Sequence, residues 1–314
     1  MKKIVLLVIT VCLMVACKSP PPPADGNNPG VGPRLSVHIP ELFSPNPDIV
    51  NDTITISITV NHPVAIKDWN ITIQPMRQRL TPEQLVQLRE RMESRQRTGQ
   101  PRQRRMFFEQ NGTGTPPAQW KWDGKSTSRL NDAGEGEMVQ SATAYQFVLS
   151  VSDVFGNTTT YDEGVIEVDV IVRKDGDKLR IVVPAITFEG NSSNFSQVVA
   201  GRLSEADVNS NRRVLRLISN ALSKYPDYKI TIEGHANPVY DPATSRGRTE
   251  EINDLKPLSE QRARAVGVYL TQNHNIASSR FTYVGMGATK TVVGFREDDE
   301  EKWKNRRVEF ILNR

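Results

Sequence analysis

From about Leu35 to Val172, apolar and polar side chains alternate with a period of two. Ile54, Ile56, Ile58 and Val60 mark one run; Trp69, Ile71 and Ile73 a second; Tyr145, Phe147, Leu149 and Val151 a third; Ile166, Val168, Val170 and Val172 a fourth. Successive side chains of a strand point to opposite faces, so each run predicts a strand buried on one side. Turn-forming clusters at Asp123-Gly124 and Phe155-Gly156-Asn157 separate the runs. Several short half-buried strands in series predict an all-β sandwich over 35–176. The alternation breaks between Met76 and Met106. Leu80-Thr81-Pro82-Glu83-Gln84-Leu85 predicts a helix start there, with Thr81 as N-cap, Pro82 in the first turn, Gln84 closing a capping box and Leu80 against Leu85. Its apolar stripe of Leu85, Leu88 and Met92 is narrow, so this insert at 76–106 is expected on the surface.

Beyond Lys178 the period changes. A strand-like run from Leu179 to Ile186 is followed by Val214, Leu217, Ile218, Ala221 and Tyr225 at helical spacing, stopping at Pro226. Tyr228, Ile230 and Ile232 predict a strand ending at Gly234-His235. Ala263, Val266 and Leu270 predict a helix from about Ser259 to Gln272, and Phe281 to Val284 and Val308 to Leu312 predict two more strands. The order β-α-β-α-β-β over 177–314 suits a mixed α/β sheet with helices on one face. The chain is therefore expected to be multidomain.

The N-terminus carries no such pattern. Lys2 and Lys3 precede an apolar run from Ile4 to Val15, long enough for an export signal and shorter than the about 20 residues a spanning helix needs. Leu13-Met14-Val15-Ala16-Cys17 resembles the bacterial lipoprotein cleavage box, which implies a signal at 1–16 and acylation of Cys17. Several acyl chains together hold a protein on a bilayer durably. The stretch from Cys17 to Arg34, rich in Pro, Gly and Asn with Pro20 to Pro23 in a row, offers no apolar face and is expected to be a tether.

Composition narrows the chemistry. Cys12 lies inside the signal, so Cys17 is the one cysteine left to the mature chain, which excludes a disulfide framework or a thiolate metal site. His38, His62, His235 and His274 include no pair at helical ligand spacing, so no metal or other cofactor is expected. Net charge is +4, but between Arg77 and Arg105 nine arginines stand against three glutamates. That insert is either a solvated basic loop or an electrostatic contact with anionic headgroups, wall polymers or an acidic partner. Nucleic acid is not expected, because the export signal removes the chain from it.

Three segments of the C-terminal half carry a resemblance: Ile232-Glu233-Gly234-His235-Ala236-Asn237, Leu258-Ser259-Glu260-Gln261-Arg262-Ala263 and Asn305-Arg306-Arg307-Val308-Glu309. In this order they resemble the OmpA-like peptidoglycan-binding family. The resemblance implies that Arg262 grips the carboxylate of the diamino acid of the wall stem peptide. Asn237 stands where the family has the aspartate that receives the ammonium. Asn191, in Phe188-Glu189-Gly190-Asn191, matches a turn near the ligand, and Asn305, Arg306 and Arg307 match the family's final Asn-Arg-Arg. An ion pair of these arginines with Glu309 or with Glu300-Glu301 is the alternative. The link between Asn237 and Arg262 is about ten residues longer than the family's, and Asp241, Glu250 or Glu251 in it could replace the missing acid. His235 is expected as a turn residue, and Gly285-Met286-Gly287 as a turn with no phosphate-loop role. More loosely, Phe43-Ser44-Pro45-Asn46-Pro47-Asp48 with Asn51-Asp52, Trp120 to Lys125, and Asp153 to Asn157 look like the Ig-like domains of flagellar hook-cap proteins.

Together these imply a nonenzymatic lipoprotein on the inner face of the outer membrane, facing the periplasm. Its C-terminal domain would hold peptidoglycan through a diaminopimelate or ornithine stem peptide, with the bilayer contacted through acylated Cys17 and an envelope protein as a further partner. The alternative is an OmpA-like fold with degraded wall binding, acting as a scaffold through its β-rich half. An envelope hydrolase would need a nucleophile, acid or metal that the sequence does not assemble.

Overall fold

The computed structural model describes residues 30–45, 52–76, 106–130, 133–296 and 301–314. The expected signal, Cys17, nearly all of the tether and residues 77–105 of the basic insert lie outside the described residues, as do Asp48 and Asn51.

The N-terminal half is all β. Strands β1 (Arg34–His38), β2 (Ile54–Asn61) and β5 (Gln119–Trp122) form one antiparallel sheet in the order β1-β2-β5. Strands β3 (Ile66–Pro75), β4 (Phe108–Thr113), β8 (Ala144–Asp153) and β9 (Thr158–Glu167) form a second in the order β4-β3-β8-β9. A short hairpin, β6 (Lys125–Leu130) with β7 (Gly136–Met138), lies beside them. One core joins the two sheets: Ile54, Ile56 and Ile58 come from one, Ile71, Ile73, Phe147, Leu149 and Val151 from the other. Each such side chain contributes about 1.5–3 kcal/mol by leaving water. Phe107, Trp120, Trp122 and Tyr145 add an aromatic cluster, with Phe107 and Tyr145 centroids 5.2 Å apart.

The Asp153–Asn157 turn has a single organiser. The buried Asp153 carboxylate accepts from the backbone N–H of Phe155 and Asn157, from the Asn157 amide, and sits 3.0 Å from His62 Nε2. Burial alone would raise its pKa; these bonds, led by Asn157 and His62, hold it below the usual carboxylate value.

The fourth predicted run does not continue as one strand. Strand β9 ends at Glu167; Val168 is buried in the N-terminal core and bridges Phe43, whereas Val170 and Val172 pack against the C-terminal core. Between them Asp169 turns the chain, its carboxylate accepting from Val170 N–H and the Ser44 hydroxyl.

The C-terminal half is a mixed sheet of β10 (Arg173–Asp175), β11 (Lys178–Val183), β12 (Lys229–Gly234), β13 (Phe281–Gly285) and β14 (Val308–Asn313), ordered β10-β11-β14-β12-β13. The β12–β13 pair is parallel and the others antiparallel. Helix α1 (Glu205–Ser223) begins at a capping box in which Ser204 and Asp207 each accept the other's backbone N–H. Helix α3 (Lys256–His274) ends at Asn275 in the left-handed region, φ 55°. Val214, Leu215, Ile218 and Leu222 of α1 and Ala263, Val266 and Leu270 of α3 meet Ile181, Ile230, Ile232, Phe310 and Leu312 of the sheet. The long link expected between Asn237 and Arg262 is partly helical: α2 (Ser245–Glu250), capped by Thr244, runs through a π-helical turn at Glu251–Leu255 into α3.

Candidate ligand cleft at the Asn237 turn

The candidate site is built where β12 stops. Gly234 lies against the backbone of Ser259 in α3, and a Cβ at Gly234 would overlap the Ser259 carbonyl. That approach is open to glycine alone. The turn is then pinned from several sides: His235 N–H donates to the Arg307 carbonyl at 2.9 Å, Ala236 N–H to the Gly287 carbonyl at 2.7 Å, and Gly287 N–H to the Ser259 hydroxyl at 2.9 Å.

Asn237 leaves this turn with its side chain engaged. Its Oδ1 accepts from Asn305 Nδ2 at 2.9 Å, and its own amide donates to the Pro238 carbonyl at 3.3 Å. Asn305 is 1% exposed. Its Oδ1 accepts from Val292 and Val293 N–H, at 2.8 and 2.9 Å, and its Nδ2 also donates to the Val293 carbonyl. Asn305 thus ties the 292–293 loop to the Asn237 turn.

Arg262, from α3, is 8% exposed. Its guanidinium lies 4.9 Å from the Phe188 ring centroid and donates to the Ser192 and Glu189 carbonyls at 3.0 and 3.4 Å. Those carbonyls belong to the turn around Asn191, whose φ of 54° is one that asparagine tolerates better than most residues. Among the described residues no carboxylate bonds Arg262. Burial, and then the charge of Arg306, push its pKa down to about 10, so it stays charged at neutral pH. A buried guanidinium facing a second one, with carbonyls alone as partners, is a place an anion would stabilise.

The three residues of the Asn305-Arg306-Arg307 run separate. Asn305 is buried on Asn237 and the 292–293 loop, Arg306 is exposed with its charge acting on Arg262, and Arg307 is buried on Glu309, Nε to Oε1 at 2.6 Å, and donates to the Lys290 carbonyl. Glu309 also pairs with Arg180 at 2.5 Å, and Glu301 with Arg129 and Lys304. Glu300 lies outside the described residues.

The acids of the link differ in what they have left to offer. Glu250 accepts from Val239 and Tyr240 N–H, and Asp241 from Ala243 N–H and Arg296. The Ala243 bond and then Arg296 hold the Asp241 carboxyl below its usual value. Glu251 accepts from Ala288 N–H through Oε2 at 2.8 Å, and its Oε1 is buried without a hydrogen-bond partner. That oxygen lies against Gly287, which bonds the Ala236 backbone next to Asn237.

Among the described residues Glu233, His235 and Glu309 could together hold a cation, their ligand atoms lying within 4.8 Å of one another. Arg307 and Arg180 already occupy both oxygens of Glu309, and a metal would compete with these charges. The place of Phe188 beneath the Arg262 guanidinium depends on a fold contact that no local spacing shows.

A family model described as the OmpA family matches residues 204–306. Solved structures similar to the chain include a putative MotB-like protein from Desulfovibrio vulgaris, at 23% identity and TM-score 0.34, covering 46% of this chain and 82% of that one. An outer membrane protein from Borrelia burgdorferi B31 has 25% identity and TM-score 0.30, over 46% of this chain and 97% of that one. The cell wall anchor of the T6SS from Pseudomonas aeruginosa has 24% identity and TM-score 0.33, over 46% and 86%. Together with the strand and helix order around the cleft, the family match makes residues 204–306 of this chain an OmpA-family domain.

Proposed function

We propose that the chain is a nonenzymatic, lipid-anchored envelope protein whose C-terminal domain holds the peptidoglycan stem peptide noncovalently in the cleft of Asn237, Arg262, Asn305 and Arg306. The observation that carries this is Arg262: a buried, charged guanidinium without a carboxylate, set to take one from a ligand. Two parallel charge-assisted bonds suit the carboxylate of a diaminopimelate side chain. An ornithine side chain would present an ammonium alone and leave Arg262 without its partner.

The ammonium needs an acceptor. Asn237 can offer only a neutral oxygen, already bonded by Asn305. Glu251 is the surrogate acid in this reading, because one of its oxygens has no bond and sits beside the Asn237 turn. Acylation of Cys17, an Ig-like class for the β-rich half and placement on the inner face of the outer membrane complete the proposal; they rest on the resemblances of the sequence. The engaged Asn237 amide also favours a second reading, a scaffold that keeps the fold and has lost the ligand.

A sacculus pelleting isotherm separates the two. Asn237→Asp restores a charged acceptor and is expected to tighten binding about tenfold, since a charged bond exceeds a neutral one by about 1–2 kcal/mol. Glu251→Gln is expected to weaken it by a similar factor. Wild-type chain that stays in the supernatant with diaminopimelate-type sacculi would leave the scaffold reading.

A further inference from the structure

One hairpin of the β-rich half reaches the 301–304 turn that leads into Asn305. Arg129 of β6 and Glu137 of β7 meet Glu301 and Lys304, which flank the turn leading into Asn305. The four charges alternate in a ring. Arg129 Nη2 lies 2.5 Å from Glu301 Oε1, Lys304 Nζ 3.0 Å from Glu301 Oε2 and 2.5 Å from Glu137 Oε1, and Arg129 Nη1 3.8 Å from Glu137 Oε2. Each side chain is at most 29% exposed, and the Arg129 guanidinium rests 5.4 Å from the Phe107 ring centroid, anchored to the N-terminal core. The contact is not isolated: Glu167 of β9 pairs with Arg213 of α1, and Ala142 is buried in the C-terminal core.

Lys304 is the residue immediately before Asn305, whose oxygen holds the Val292 and Val293 N–H groups and whose amide holds Asn237. Removing one member of a partly buried ion network leaves its partner charged and uncompensated, so such a ring resists opening one bond at a time. We propose that Glu137 and Arg129, although on the other domain, are positioning residues for the cleft: they clamp the 301–304 turn and thereby set Asn305 and Arg306. As an account of ligand affinity this rests on the wall-binding reading above; as an account of the turn it does not.

The test uses the full chain in detergent, with Glu137→Lys as the disruptive variant and Glu137→Gln as the mild one should the first fail to fold. Hydrogen exchange is read at Val292 and Val293, with Thr187 N–H, which donates to Asn211 elsewhere in the domain, as internal control. Loosening the clamp is expected to speed exchange at Val292 and Val293 by about tenfold or more while Thr187 is unchanged. Sacculus affinity of the same variants is expected to fall by about threefold to tenfold. Unchanged protection at Val292 and Val293 in the folded variants overturns the clamp. Faster exchange in a chain whose wild type does not pellet with sacculi supports the clamp and overturns wall binding instead. Faster exchange with wild-type affinity intact shows that the clamp does not set the cleft, and overturns the positioning role.

Discussion

Arg262→Ala is expected to lower affinity for diaminopimelate-type sacculi by about a hundredfold. In the proposed complex the guanidinium makes the charge-assisted bonds to the ligand carboxylate, and such bonds contribute about 1.5–3 kcal/mol each in place of the 0.5–1.5 of neutral ones. Arg306 lies close enough for its charge to act on Arg262, but it lacks the seat on Phe188 and the Asn191 turn that fixes the Arg262 guanidinium. The fold should tolerate the change: the variant removes a buried charge that Arg306 opposes, and the Ser192 and Glu189 carbonyls that lose their donor belong to half-buried residues that water can reach. Arg262→Lys retains charge but not the planar fork, so a loss of about tenfold is expected. Pelleting isotherms for the three chains check the series. Equal affinity for wild type and Arg262→Ala would remove the residue from the site.

Asn305→Ala is expected to cost about 3–4 kcal/mol of stability. The side chain is buried and makes four bonds, to Val292 N–H, Val293 N–H, the Val293 carbonyl and Asn237 Oδ1. A buried polar group stripped of its partner costs about 1–3 kcal/mol, and the truncation leaves several such groups, partly relieved by entering water. Asn305→Asp keeps the acceptor for the two valine N–H groups but sets a buried carboxylate oxygen against the Val293 carbonyl and Asn237 Oδ1, so it is expected to cost at least as much. Denaturant unfolding of the full chain measures both. A change under about 1 kcal/mol for the alanine variant would mean that the 292–293 loop holds itself.

The strands of both halves were readable because burial on one face writes itself as a period of two, as in Ile54-Ile56-Ile58, and α1 because its inward residues recur at helical spacing. The same rule misjudged Ile166 to Val172. Alternation distinguishes one face from the other but not one core from the next, and Val168 and Val170 belong to different cores. The helical link before α3 was opaque for another reason: it is short, and Ile252 is 65% exposed, so no apolar stripe marks it. Thr244 as a cap was its one local signal.

At the candidate site, the resemblance names segments on β12, α3 and the turn before β14 but not the side-chain bonds among them. Asn237 and Asn305 are 68 positions apart, and their hydrogen bond exists only because β12 pairs with β14. The division of labour between Arg306 and its neighbour Arg307 depends likewise on Glu309 lying one strand position beyond the turn. Glu251 and Glu250 are adjacent in sequence, yet one is bonded through both oxygens and the other through one, a difference set by where the chain bends into the π-helical turn.

The central claim is that Arg262 and its cleft take the carboxylate-bearing diamino acid of the wall. Competition pelleting tests it most directly: the full chain bound to diaminopimelate-type sacculi, challenged with a soluble stem peptide carrying meso-diaminopimelate or with the same peptide carrying ornithine, whose α-carboxylate is tied up in the peptide chain. The account predicts that the diaminopimelate peptide releases the chain and that the ornithine peptide at the same concentration does not, with Arg262→Ala pelleting about a hundredfold more weakly than the wild type. Release by the ornithine peptide alone, or pelleting that neither competitor nor the Arg262 substitution affects, would contradict it.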